Sequence, residues 1–421
     1  MCQYFNGRLT RLALGACIAL AGLLTACATS SSSIAPVVTR TAATRSAGGP
    51  GWHTTAISSP PGSADLSFAE LACPSLAGCV ADGSYVHKVN SVPFVMTDLA
   101  SGRPPVMIRL RMPADAATTF VNGLACPSAG YCVALGSYHT SAGTPYGFTA
   151  TGSDGRWARA RPLTPPAGSR GIGDIFGVTC TAPGACVAVG DAISGTGLLL
   201  PAVVTESGGT WGRAAYLSPP RNFARGRLAD SEMSSVACSS AGSCLAVGTY
   251  AVRSGLLAWP MAAVESGGRW QRARQIPLPA DASQDKRTGG GGLLAASCAP
   301  GGPCLAVGGY VPASKAPDHG LAVTEDHGHL GPPSERPGQF LGVACNAGFC
   351  VVSPRYGPAL AVSGSRWRRL PSIQPPAGMA GRHGFSLGRE NVACFAGGQC
   401  VSVGTFTDDQ GRGSFLVSTR D

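Results

Sequence analysis

The chain has 421 residues, 44% of them apolar and 13% charged, with a formal net charge of +10 at pH 7. That is too apolar for a disordered chain. Its 59 glycines and 33 prolines punctuate it too densely for long helices, which leaves an all-β class rich in turns.

Residues 1–27 read MCQYFNGRLTRLALGACIALAGLLTAC. Arg8 and Arg11 precede a 15-residue apolar run, Leu12 to Ala26. It is short for a membrane span and suits the core of a signal peptide. The run ends in Leu24-Thr25-Ala26-Cys27, which resembles a bacterial lipobox. That resemblance implies a signal peptide over 1–26, a lipid on Cys27, and a chain exported and anchored to the outer face of the cytoplasmic membrane. An ordinary secretory signal with Cys27 incidental also implies export. Residues 27–50 are small and polar and read as a flexible tether with a reach of roughly 25 Å. Lys88, Lys286 and Lys315 are the only lysines; arginine for lysine, with abundant Ala and Gly, suits a high-GC, actinobacterial source. The arginines are dispersed, which argues against nucleic acid as a partner.

From residue 51 to 421 the sequence repeats. Each copy carries a pair of cysteines. The pairs are Cys73 and Cys79, Cys126 and Cys132, Cys180 and Cys186, Cys238 and Cys244, Cys298 and Cys304, Cys345 and Cys350, and Cys394 and Cys400. A first piece leads into the pair (FAELAC, FVNGLAC, IFGVTC). A second leaves it as C-V-A-V-G-x-Y. A third alternates and ends in a polar turn (FTATGSDGRW, AVVTESGGTW), and a fourth begins at a tryptophan, Trp157, Trp211, Trp270 or Trp367. Short Val-, Phe- and Thr-rich pieces bounded by Gly, Ser and Asp are strands and turns. Four antiparallel strands repeated seven times predict an all-β, seven-bladed β-propeller. The seventh copy ends without a tryptophan strand, while GPGWHTTAIS, with Trp52, stands orphaned ahead of the first. Residues 51–58 are therefore expected to complete the last blade and close the ring.

The copies resemble Asp-box propellers, the superfamily of sialidases and photosystem II assembly factors, and secreted actinobacterial propeller lipoproteins with paired cysteines. The nearest match to the Asp-box pattern Ser/Thr-x-Asp-x-Gly-x-x-Trp is the compressed Ser153-Asp154-Gly155-Arg156-Trp157; without the aspartate it stands as Glu206-Ser207-Gly208-Gly209-Thr210-Trp211 and Glu265-Ser266-Gly267-Gly268-Arg269-Trp270. The resemblance implies that this box is a stabilising turn without a catalytic role.

Cysteines facing each other across an antiparallel hairpin can be bridged, and an exported chain is oxidised. Seven disulfides are expected, one within each pair, each closing a short loop worth roughly 2 kcal/mol in the chain-entropy model. The C-x5-C spacing is loose for zinc, and no metal or other cofactor is expected.

No catalytic residue can be assigned by motif. The arginines two residues after the tryptophans, Arg159, Arg213, Arg272 and Arg369, read as charges protecting an outer edge, or else as a ligand belt. Asp318, His319, Asp326, His327 and His329 form one local cluster, read as a surface turn or else a metal site. Residues entering the inner strand, Glu70, Asn122, Asp174, Glu232, Gln339, Glu390 and Asn391, suggest a partly acidic channel mouth. It could hold a cationic or hydroxyl-rich ligand, or simply face trapped water. The expected function is a lipid-anchored binding or scaffold module, a monomer engaging an unknown envelope protein or small ligand. A propeller enzyme, sialidase-like hydrolase or lyase, is the alternative, and a purely structural surface protein a third.

Overall fold

The computed structural model describes residues 38–40, 43–45 and 52–420, apart from 225–229, 253–256, 284, 286–288, 315–317, 356, 374–391, 396–397 and 408–412. Cys27 and the signal segment lie outside the described residues.

Seven antiparallel sheets follow one another along the chain, each running from an inner to an outer strand. Blade 4 shows the plan: Ser231–Ser240, Ser243–Val252 and Leu257–Ser266, followed by Arg269–Trp270 and Arg274–Gln275, two fragments that both pair with the third strand. The inner strands pack side by side, and that of blade 7, Val392–Cys394, lies against Ser63–Ala72 of blade 1. Both faces of each blade are buried, so the second strands read as continuous apolar runs. Along Ser243–Val252, Leu245 and Val247 pack toward blade 5, while Cys244, Ala246 and Tyr250 pack toward blade 3. Alternate residues of one strand thus supply two seams.

The glycine of C-V-A-V-G has a steric cause. A Cβ at Gly83, Gly136, Gly190, Gly248 or Gly308 would collide with the backbone carbonyl of Ser67, Phe120, Asp174, Glu232 or Gly292 on the inner strand. Only glycine admits that approach. Nearby, the inner strands of blades 2 to 6 carry a bulge between Val121 and Gly123, Ile175 and Gly177, Met233 and Ser235, Leu293 and Ala295, and Phe340 and Gly342. A bulge re-aims the side chains around it. Blade 1 carries a wider irregularity, between Phe68 and Leu71.

Closure follows the expected scheme. His53–Ser58 pairs with Gly413–Arg420, the third strand of blade 7. Trp52 is buried among Val351, Leu370, Val392 and Cys400, and its indole N–H donates to the Pro371 carbonyl at 3.0 Å. Within the segment expected as tether, Val38–Arg40 pairs with Val106–Arg109 of blade 1 and Ala43–Arg45 with His53–Ser58. These additions cover two sheet edges that would otherwise stay open.

Each blade also carries its expected disulfide, between the inner strand and the second. Cys73 bonds to Cys79, Cys126 to Cys132, Cys180 to Cys186 and Cys238 to Cys244. Cys298 bonds to Cys304, Cys345 to Cys350 and Cys394 to Cys400. The Cα separations are 3.8–4.1 Å. In every pair the second cysteine lies deeper than or level with the first: Cys79, Cys132, Cys186, Cys244, Cys304 and Cys400 are buried, while Cys350 is half-buried like its partner Cys345. The bridges therefore add apolar sulfur to the seams as well as closing the hairpins.

Candidate functional site

The residues singled out for the channel mouth scatter into different roles. Glu70 reaches across a seam: its carboxylate accepts the Leu124 N–H of blade 2 at 2.6 Å. Ser235, which holds the same position relative to its cysteine in blade 4, accepts the Ala296 N–H of blade 5 at 3.1 Å. Asn122 donates its side-chain amide to the Ile175 carbonyl of blade 3 at 2.9 Å. Gln339 is held by Arg355, whose guanidinium donates to its Oε1 at 3.0 Å and whose N–H donates to its carbonyl at 2.7 Å. Asp174 and Glu232 are half-buried on their inner strands beside exposed Phe120 and Ser67 in the same column. Glu390 and Asn391 lie outside the described residues. Of the five described residues, Glu70, Asn122 and Gln339 thus make contacts between or within blades.

One buried acid escaped the sequence reading. Asp82 stands three residues after the second cysteine, where the other copies have Leu135, Val189, Val247, Val307, Ser353 and Val403. It is fully buried on the blade 1–2 seam, with Oδ1 accepting the Glu70 N–H at 2.8 Å and Oδ2 without a partner. Desolvation outweighs that hydrogen bond and pushes its pKa up to about 8. The signal was present as the one acid in a column of Leu, Val and Ser.

The histidine cluster does not assemble. His319 opens the third strand of blade 5, His319–Asp326, and His327 sits on the turn beyond its far end, 2.7 Å from Asp326. An eight-residue strand separates the two groups by roughly 20 Å. Among the described residues no group of three or more His, Cys, Asp or Glu is placed to hold a metal ion. Three of the four post-tryptophan arginines tie their blade to the connection before it. Arg159 donates to the Met112 carbonyl, Arg213 to Pro165 and Arg272 to Pro219, each on the connection arriving from the preceding blade. The next residue repeats the link through its backbone, Ala160 to Arg111, Ala214 to Thr164 and Ala273 to Ser218.

Two concave surfaces lie on this outer rim. One, of about 700 Å³, is lined by Arg111, Thr151, Ser153, Asp154, Arg156 and Trp157 around the outer strand of blade 2. The second, of about 420 Å³, lies between the connection entering blade 4 and its outer strands and is lined by Arg221, Asn222, Gln271, Arg272, Arg274 and Gln275. Its wall is braced from inside. The hydroxyl of buried Tyr250 lies 3.0 Å from Asn222 Oδ1 and 2.9 Å from Gln275 Oε1, and the Asn222 amide donates to Gln275 at 2.8 Å. Blade 5 repeats the bracket in acidic form: the Tyr310 hydroxyl is 2.8 Å from Asp281, 2.9 Å from Glu335 and 3.1 Å from His319 Nδ1. Burial and the two carboxylates raise the Tyr310 pKa, which keeps the hydroxyl protonated as a donor. A second tyrosine–glutamate pair stands at Tyr131 and Glu206, 3.2 Å apart. Burial raises the pKa of both, and neither lines the arginine groove.

No family pattern matches the sequence, and no curated protein matches it. Among solved structures the fold is similar to a Hadza microbial sialidase, Hz136, at 13% identity and a TM-score of 0.43, covering 72% of this chain and 66% of that one. It is also similar to a polysaccharide lyase of family PL25, an ulvan lyase, at 12% identity and a TM-score of 0.47, covering 85% of this chain and 96% of that one. A third is NanB sialidase of Streptococcus pneumoniae, at 8% identity and a TM-score of 0.42, covering 85% and 68%.

Proposed function

We propose that the protein is exported, anchored to the outer face of the cytoplasmic membrane through lipidated Cys27, and serves there as a rigid binding module for an envelope partner or small ligand. The observation that carries this reading is the division of labour in the ring. Named polar groups of the inner strands tie blades together, while the concave, arginine-lined surfaces face outward on the rim. Seven bridges and a closed ladder make such a rim pre-organised, which lowers the ordering cost of binding. The hydrolase or lyase alternative calls for arginines beside a tyrosine–glutamate pair, and neither Tyr131–Glu206 nor Tyr310–Glu335 lines either of the two arginine-lined grooves.

Two measurements test the reading. Palmitate fed to cells should label the wild-type chain and not Cys27→Ala; equal labelling refutes the anchor. A photo-reactive residue substituted at Gln271, on the rim, should form adducts in the envelope that one at Ser67, on the inner strand, does not. The reverse pattern moves the binding surface to the axis.

A further inference from the structure

The structure assigns an oxyanion-binding site to the rim groove of blade 4, formed by Arg221, Arg272 and Arg274 over the amides of Asn222, Gln271 and Gln275. This rests on the rim-binding reading and gives that surface a ligand chemistry. Three guanidiniums line one cavity of about 420 Å³, and no carboxylate lines it with them. The ion pairs found among the described residues are both His–Asp contacts of blade 5 and its approach, so none of the three arginines is neutralised by a described acid. Like charges brought together repel, and a bound anion relieves that cost. Arginine presents a planar fork of donors that matches carboxylate, sulfate and phosphate oxygens.

The site is also pre-positioned. Arg272 is held by its bond to the Pro219 carbonyl at 2.8 Å, and Arg274 lies 3.4 Å from Gln271 Oε1. Asn222 and Gln275 are locked to each other and to Tyr250, and that triangle uses only the carbonyl oxygen of Gln275, not its amide nitrogen. Charged donors beside neutral amides suit an oxyanion carried on a hydroxyl-bearing body, and the open groove admits one or two sugar rings of a longer acidic saccharide. Blade 5 supplies an internal contrast. Its bracket holds Asp281 and Glu335 around Tyr310 where blade 4 holds Asn222 and Gln275 around Tyr250, so the fold accepts either chemistry and the amide form goes with the arginine groove.

The test is calorimetric titration of the full chain with trigalacturonate and, separately, with inorganic phosphate. Binding that weakens as salt rises is expected, with about a tenfold or greater loss when Arg221→Gln is combined with Arg274→Gln. Tighter binding of trigalacturonate assigns the acid to a saccharide; tighter binding of phosphate assigns a free anion; both support the site. Asn222→Asp combined with Gln275→Glu, the acids that blade 5 carries beside His319, should abolish binding, with a melting curve to show that the variant is folded. An Arg156→Gln change in the other groove should leave binding intact. Failure of both probes to bind, or equal binding by the double arginine variant, overturns the proposal. Rim adducts through Gln271 that persist after such a failure would leave the binding-module reading standing.

Discussion

The seam between blades 1 and 2 and the seam between blades 4 and 5 solve the same problem with different chemistry. In each, a side chain three residues before the first cysteine accepts a backbone N–H from the next blade. In the first it is the Glu70 carboxylate, 2.6 Å from Leu124 N, and in the second the Ser235 hydroxyl, 3.1 Å from Ala296 N. Behind that contact the first seam buries Asp82 and the second Val247. A hydroxyl and a valine are indifferent to pH. The buried Asp82 carboxyl is not, so one joint of the ring is tied to the acidity of its surroundings while its counterpart is fixed.

The largest effect expected from this difference is in stability against pH. The folded pKa of Asp82 is raised to about 8, so between about pH 4 and pH 8 the folded chain holds a proton that the unfolded chain has lost. Stability must then fall as pH rises through that window and level off above it, by several kcal/mol at most. Asp82→Val, which installs the residue blade 4 uses, should remove this dependence. In urea melts the midpoints of wild type and Asp82→Val should diverge steadily from pH 5 to pH 8, with the variant the more stable; a constant gap would reject the burial argument. Glu70→Ala comes next. It leaves the Leu124 N–H of a half-buried seam without its charged acceptor and should cost about 2 kcal/mol, read as a lower urea midpoint at pH 7. Ser235→Ala removes a neutral acceptor and should cost about 1 kcal/mol with no pH dependence. Equal losses at Glu70 and Ser235 would erase the distinction between the two seams. Smallest is Arg213→Ala on the exposed rim, where the bond to Pro165 should be worth a few tenths of a kcal/mol.

The ring itself was legible because its determinants are local and repeated. Seven cysteine pairs, the glycine of C-V-A-V-G and an orphan Trp52 each announce a strand, a hairpin or a closing ladder. The roles of Glu70 and Asn122 were hidden by an inserted residue. Alternation along a strand predicts which face a side chain takes, and the bulge on the inner strands breaks that count just where these side chains sit. The arginine column was visible, but its partners Met112, Pro165 and Pro219 lie 47 to 53 residues earlier, on connections without a motif. The blade 4 groove was invisible for the same reason, being assembled from residues 220–222 and 271–275.

The hydroxyl contact between Thr54 and Ser418 spans 364 positions of sequence. His53–Ser58 therefore meets its blade 7 neighbour only when Gly413–Arg420 has been made. Assembly of blade 7 is thereby a late event, slowed by the sequence separation of its partners more than by local strand preference. A clip at either extremity frays the same blade, so proteolytic sensitivity measured from one end reports on the other.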